Sequence, residues 1–121
     1  MTDRDRDILG LLPLTPPMLH LLLALADGDK HGYAILKEVA RRTRGKVRLG
    51  PSTLYGLIKR ASADGLIAEA DERPDPALDD ERRRYYRLTT RGRRLAVAEI
   101  ERLESLVDLA LEKKLLRPRT A

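Results

Sequence analysis

The segment from Gly50 to Ile67, GPSTLYGLIKRASADGLI, combines hydroxyl, glycine and cationic residues at helical spacing. Its apolar residues recur at positions i, i+3, i+4 and i+7, which predicts a helix with one buried face. They are Leu54, Leu57, Ile58 and Ala61. The opposite side of that helix carries Ser52, Gly56, Lys59 and Ala63, flanked by Thr53, Tyr55 and Arg60. Hydroxyl and cationic groups on an exposed helix face are suited to contacts with phosphates and base edges of a nucleic acid.

Gly56 is unusual on such a face. A glycine inside a helix costs roughly 0.5 to 1 kcal/mol relative to alanine. One hypothesis is that the helix backbone approaches a duplex closely at this position. The alternative is a surface glycine that serves no function.

Positive charge surrounds this helix. Between Glu38 and Asp64 there is no acidic residue, and this interval contains Arg41, Arg42, Arg44, Lys46, Arg48, Lys59 and Arg60. Further along the chain lie Arg73, Arg82, Arg83 and Arg84, next to the acidic Asp79, Asp80 and Glu81. The first group indicates phosphate contacts. The second is expected either to reach a neighbouring groove or to pair locally with the acids.

Residues typical of catalysis or metal binding do not form a recognisable pattern. The chain contains no cysteine, which excludes disulfides, thiol catalysis and cysteine zinc sites. His20 lies in an apolar run and His31 at a helix start, so packing and capping are the expected uses. No Ser-His-Asp arrangement, glycine-rich phosphate loop or carboxylate pair appears. We therefore expect no enzyme activity, no cofactor and no metal.

Composition narrows the class of partner. A chain of 121 residues is long enough for one compact domain. The net charge of +5 favours a polyanion, either a nucleic acid or an anionic membrane surface. Aromatic residues make up only 3%, whereas single-strand readers stack bases on exposed rings, so duplex recognition is favoured. No signal peptide is evident and the run Met18 to Ala26 is too short to span a membrane, so a cytoplasmic protein without membrane attachment is expected.

The order of predicted elements gives the fold class. Thr15 is expected to cap a first helix that continues to Asp27 and Gly28, and a second helix starts after His31. After the helix of the opening segment, LIAEADE and RRRYYRL predict a β-hairpin. Thr89 or Thr90 then begins a long helix reaching about Leu116. The predicted fold is mainly α with a small β-hairpin, a winged helix-turn-helix followed by a long C-terminal helix. The predicted division is a flexible segment over 1–13, a DNA-binding domain over 14–88 and a dimerisation helix over 89–117.

The last predicted helix is apolar along most of its length. Its stripe consists of Ala96, Ile100, Leu103, Leu106, Val107, Ala110 and Leu111. A small core covers only part of such a stripe, so we expect a homodimer that also buries Leu19, Leu22 and Leu23 of the first helix. The alternative is that the stripe packs back on its own chain. A dimer presents two recognition helices to a two-fold operator in double-stranded DNA.

The sequence resembles the PadR family of bacterial transcriptional regulators at HGYAIL, TLYGLIKR, DGLI and RRYYRLTTRG. The single C-terminal helix is similar to the short subfamily. The resemblance implies a homodimeric repressor whose recognition helix and wing hold operator DNA, and a small-molecule effector at the dimer interface that releases it. It also implies DNA contacts by Tyr33, Ser52, Thr53, Tyr55, Lys59, Arg83 and Arg84. Gly56 and Ala61 replace bulkier family residues, which predicts looser packing behind the recognition helix.

The sequence favours two functions over a third, a small-molecule-binding or enzymatic role, which measurable turnover would reveal. The first is a dimeric, duplex-binding transcriptional repressor that uses the residues above together with Gly56 and Arg60. The second is a winged-helix module whose basic surface binds an acidic protein. Sequence-selective, salt-sensitive binding to a duplex distinguishes the first from the second.

Overall fold

The structure is a computed structural model that describes residues 7–70 and 84–119. After a helical turn at residues 7–9, these ranges contain four helices and three short strands in the order α, β, α, α, β, β, α. The helices are α1 (Pro16–Ala24), α2 (Gly32–Arg42), α3 (Pro51–Ala63) and α4 (Thr90–Glu112). The strands are β1 (Lys30–His31), β2 (Ile67–Glu69) and β3 (Tyr85–Leu88). This arrangement confirms the predicted winged helix-turn-helix class, with a sheet of three strands where a two-stranded hairpin was predicted.

The helices begin and end at residues whose side chains or backbone conformation suit a helix terminus. The side chain of Thr15 accepts a hydrogen bond from the Met18 N–H, and two prolines occupy the first turn of α1. The side chain of Thr89 accepts from Gly92 N–H at the start of α4, so Thr89 is the cap rather than Thr90. Gly65 adopts φ +75° directly after α3, the left-handed conformation expected at a helix end.

Two helices are shorter than predicted. Helix α1 ends at Ala24 rather than near Asp27, because the chain turns to enter β1. Helix α4 ends at Glu112 rather than Leu116, where Lys114 adopts φ +61°. The apolar Leu115 and Leu116 extend the helical pattern in the sequence, but both are exposed beyond the helix end.

The sheet runs in the order β1, β3, β2, with both pairs antiparallel. Lys30 pairs with Tyr86 and His31 with Tyr85, while Ile67 pairs with Leu88 on the other side. Strand β1 therefore attaches the wing to the start of α2. The wing tip, residues 71–83, lies outside the described residues, and so do the predicted contributions of Arg73, Arg82 and Arg83.

One core joins α1, α2, α3, β2 and the first half of α4. Leu95, Ala96 and Glu99 of α4 are buried, so the predicted domain boundary at residue 88 does not coincide with an end of the core. Ile8 is buried in the same core, and Leu11 and Leu12 pack against it. Within the segment over 1–13 that was predicted to be flexible, Ile8, Leu11 and Leu12 therefore lie against the core, whereas Leu9 is exposed. Leu22 is also fully buried, so it cannot contact a second copy as predicted.

Candidate nucleic-acid interface

Helix α3 divides into the two faces that the sequence predicted. Leu54, Leu57, Ile58 and Ala61 are buried in the core. Ser52, Gly56 and Lys59 are exposed on the opposite face, and Thr53, Tyr55 and Arg60 are exposed beside them. A helix held by one face presents the other to a partner without rearrangement, which is the geometry a recognition helix needs.

Gly56 lies in open space. A Cβ placed on it would meet no atom of residues 7–70 and 84–119 within 4 Å. The expectation that Gly56 loosens the packing behind α3 is therefore wrong, since this residue faces outward. Ala61 is fully buried, in the core-facing row of the helix. The structure thus provides no packing reason within the described chain for glycine at position 56.

The start of α3 is open to solvent as well. Its N-cap residue is Gly50, which has no side chain to accept a hydrogen bond from the first turn. Pro51, Ser52 and Thr53 follow at exposed positions. The N–H groups of a helix's first turn have no partner inside the helix and carry partial positive charge. This end of α3 is therefore electrostatically suited to a phosphate.

Tyr33, the second residue of α2, extends the candidate surface toward the wing. Its side chain is 63% exposed, and the ammonium group of Lys37 lies 4.9 Å from the centre of its ring. The His31 ring stacks beside it with centroids 6.4 Å apart and meets Tyr85 of β3 edge-on at 5.3 Å. His31 also caps α2, because its Nδ1 accepts a hydrogen bond of 3.1 Å from Ala34 N–H. The predicted capping use of His31 is confirmed, and it brings Tyr33 next to the wing.

Arg84 is the one predicted wing arginine that lies within the described residues. Arg84 is exposed, but its guanidinium lies 3.6 Å from the carboxylate of Glu69 on the neighbouring strand. Arg84 therefore pairs locally, but with Glu69 rather than with the acidic residues at 79–81 that the sequence suggested, which lie outside the described residues. Tyr86 on β3 is half-buried and packs against the core, and burial, followed by the Glu69 charge, raises the pKa of its phenol. Tyr86 is therefore a packing residue.

Two features of this region were not predicted. Lys37 over the Tyr33 ring has a weak sequence signal, the i+4 spacing of a cation and an aromatic residue on one helix face. Arg44, in the turn after α2, adopts φ +54°, a conformation uncommon for residues other than glycine. No composition or periodicity signal predicts that conformation for an arginine.

Residues 7–70 and 84–119 contain no group of three His, Asp or Glu side chains placed to hold a metal ion. Within the same ranges, every helix is too short or too polar to cross a membrane.

Comparisons with known proteins agree with this geometry. Residues 21–98 match the transcriptional regulator PadR-like family. The chain is 35% identical over 88 residues to transcriptional regulator Rv3488 of Mycobacterium tuberculosis, covering 73% of this chain and 76% of that protein. A transcriptional regulator from Clostridium thermocellum has a similar structure, with a TM-score of 0.63 and 26% identity over 89% of this chain and 96% of that one.

A second solved structure is similar, that of a PadR family transcription regulator from Clostridium difficile. Its TM-score is 0.59 and its identity 27%, over 82% of this chain and 97% of that one. The resemblance seen in the sequence is confirmed, and a family of transcriptional regulators agrees with the expectation that the chain is not an enzyme. The protein is a member of the PadR-like family of transcriptional regulators.

Proposed function

We propose that the protein is a homodimeric, cytoplasmic repressor that binds a two-fold operator in double-stranded DNA. The observation that carries this proposal is the outward face of α3, where Ser52, Gly56 and Lys59 are exposed opposite a fully packed face. An α-helix of this kind fits the major groove, with its N-terminal half at the base edges. Tyr33 at the start of α2 and Arg84 at the base of the wing then lie beside the phosphate backbone.

The second half of α4 supports the dimer. The buried residues of this helix are Gly92, Leu95, Ala96 and Glu99, all in its first ten positions. Beyond them, Ile100, Leu106 and Val107 are exposed, and Leu103, Ala110 and Leu111 are only partly covered. An apolar stripe of this length is costly in water, and a second copy of the same helix buries it. Leu19 is half-buried and Leu23 exposed on α1, so both remain available to the same interface, unlike Leu22.

A small-molecule effector that releases the DNA would act through α4. A groove of about 720 Å³ lies between residues 8–9 and the first half of this helix. Its lining consists of Ile8, Leu9, Thr90, Arg93, Arg94, Val97 and Ala98. Apolar walls beside two guanidinium groups suit an apolar molecule that carries an anionic group. Because the same helix continues into the proposed dimer stripe, a ligand in the groove would change the spacing of the two recognition helices.

The test is a fluorescence-anisotropy titration against duplexes that tile the DNA upstream of the protein's own coding sequence, with excess nonspecific competitor. We expect tight binding to one pseudo-palindromic tile. Lys59→Ala should weaken that binding by about ten- to a hundredfold, since a lost base contact costs about 1–3 kcal/mol. Lys113→Ala, an exposed lysine at the end of α4, is the matched control and should bind as wild type.

Two results would contradict the proposal. One is weak, uniform binding to every tile that modest salt abolishes, which would leave only an electrostatic footprint. The other is equal loss of affinity in Lys59→Ala and Lys113→Ala, because overall charge rather than the face of α3 would then determine binding.

A further inference from the structure

We infer that the turn between α2 and α3 forms a separate contact with the DNA phosphate backbone, made by Arg44 and Arg48 with Arg41 beside them. This inference rests on the proposed function and adds a contact outside the recognition helix and the wing. Its evidence is the arrangement of the three arginines around one recess, the conformation of Arg44 and the position of the turn along the chain.

The three arginines share a recess of about 510 Å³ between α2 and the segment that leads into α3. Its other lining residues are Leu36, Ala40, Gly45 and Leu49, so no acidic side chain of the described residues lines it. All three arginines are exposed. The ion pairs within residues 7–70 and 84–119 involve Lys30, Arg84 and Arg102, and none involves these arginines. Like charges gathered without a counter-charge favour the binding of an anion.

The turn that carries the arginines is held by its own hydrogen bonds. The Thr43 hydroxyl donates to the Val39 carbonyl at 2.8 Å and accepts from the Val47 N–H at 3.0 Å. The Gly45 N–H donates to the Ala40 carbonyl at 2.7 Å. The Arg48 guanidinium lies over Gly45, where an added Cβ would be 3.4 Å from it. The recess is therefore formed before any partner binds, which lowers the entropy cost of binding.

Arg44 occupies a position in this turn that glycine fits better. Its φ of +54° lies in the left-handed region, which side chains with a Cβ disfavour. Gly45, the next residue, has φ +77°. Lys114 ends α4 in the same conformation, so the conformation alone does not indicate a function. At Arg44 it places the charge at the rim of a recess that two further arginines line.

The recess lies next to the end of α3 that is proposed to enter the groove. Arg48 precedes Pro51, the first residue of α3, by three positions, and three residues of extended chain span at most about 10 Å. A helix whose N-terminal half contacts base edges has a phosphate backbone on each side of it. The anion that reaches this recess in the bound state is therefore a DNA phosphate.

The test uses two glycine substitutions that are matched in chemistry. Arg44→Gly and Lys114→Gly each remove one positive charge from an exposed left-handed position, φ +54° and +61° respectively. Both substitutions should therefore raise the melting temperature or leave it unchanged. Lys114 lies beyond the end of α4, so its variant measures the effect of net charge alone. The oligomeric state of both variants is measured by sedimentation.

The DNA probe is a random-sequence duplex of about 30 base pairs, roughly three helical turns, because phosphate contacts do not require the operator. Arg44→Gly should lower the affinity about three- to tenfold and make the slope of log affinity against log salt shallower by about one. Lys114→Gly should change neither by as much. Arg44→Lys keeps the charge and should bind as wild type.

Equal effects of Arg44→Gly and Lys114→Gly on affinity and salt slope would overturn the inference and leave the proposed function intact. Failure of the wild-type protein to bind any duplex would instead overturn the proposed function. A third result would also overturn the inference. In it, inorganic phosphate stabilises wild type more than chloride does at equal ionic strength, and this difference disappears in Arg44→Gly. The DNA affinity of Arg44→Gly nevertheless equals that of wild type. The recess would then hold a free anion.

Discussion

The carboxylate of Glu99 in α4 accepts a hydrogen bond of 2.6 Å from the backbone N–H of Leu14, which lies 85 positions earlier in the chain. Glu99 is only 1% exposed, and its other oxygen accepts a hydrogen bond from the Arg102 guanidinium. The bond from Arg102 lowers the pKa of Glu99 most and the Leu14 N–H adds to this, while burial opposes both. One ionised side chain therefore holds the segment before α1 against the last helix.

Glu99→Gln should lower the free energy of unfolding by about 1–3 kcal/mol at neutral pH, since a buried charge-assisted bond to Arg102 is lost. Because folding lowers the pKa of Glu99, its ionised form stabilises the fold above the ordinary glutamate pKa of about 4.3. That stabilisation disappears as the pH falls through the lower pKa of the folded state. Urea unfolding at pH 7 and in the acid range measures this effect. The difference in free energy of unfolding between wild type and Glu99→Gln should shrink as the pH falls.

Glu104→Gln is the control for this prediction, because Glu104 is an exposed residue of the same helix. It should leave the free energy of unfolding within about 0.5 kcal/mol of wild type. A difference between wild type and Glu99→Gln that stays constant from neutral to acid pH would show that the charge of Glu99 does not matter.

Gly92→Ala should severely destabilise the fold. A Cβ at this position would be 2.0 Å from the Leu66 carbonyl oxygen and 2.7 Å from the Leu88 side chain. The Leu66 carbonyl also accepts the Thr89 N–H at 3.0 Å, so it cannot move away without breaking the start of α4. We expect a loss of about 3 kcal/mol or more, measured by denaturant unfolding. A loss below about 1 kcal/mol would mean that this junction shifts easily.

Gly56→Ala should have the opposite effect on stability. The added methyl group meets none of the described residues within 4 Å, so the change should give the helix-propensity gain of about 0.5–1 kcal/mol. If the backbone of α3 approaches DNA closely at Gly56, the same variant should bind the operator more weakly and Gly56→Leu more weakly still. Unfolding and anisotropy titrations on the same preparations test both effects. Wild-type affinity in Gly56→Leu would favour the alternative that this glycine serves no function.

The elements that the sequence predicted well are those with a local signal. Helix α3 follows from the spacing of its apolar residues, and its end follows from Gly65. The division of its surface into a packed and an exposed face was available from the same spacing. The exposure of Ser52, Gly56 and Lys59 on α3 could therefore be predicted before the structure, whereas Arg83 lies beyond the described residues and the pairing of Arg84 with Glu69 was not predicted.

The elements that were missed depend on contacts between distant parts of the chain. Strand β1 is two residues long and has no periodicity of its own, since it exists only by pairing with Tyr85 and Tyr86. Glu99 reads as a polar interruption of an apolar stripe, and its partner is a backbone group far away in the sequence. Leu115 and Leu116 continue a helical pattern that Lys114 ends. Local propensity and patterning cannot predict such features.

Val107→Lys should separate the proposed dimer into monomers. Val107 and Leu109 are 45% and 47% exposed in the same helix, and two positions correspond to a rotation of about 200°, so they lie on nearly opposite sides. Val107 belongs to the apolar stripe and Leu109 does not. A lysine within the stripe would place two like charges in an apolar interface, which costs several kcal/mol. Sedimentation should therefore give a monomer for Val107→Lys and a dimer for Leu109→Lys.

Loss of the dimer should also remove tight operator binding. Two recognition helices on one dimer bind two half-sites, and the second contact is strengthened by the high effective concentration that the linkage provides. Val107→Lys should therefore bind the operator with the weak, salt-sensitive affinity of one half-site, although its circular dichroism stays that of the folded chain. A Val107→Lys protein that remains dimeric, or a monomeric one that keeps wild-type operator affinity, would show that the stripe on α4 is not the surface that pairs the recognition helices.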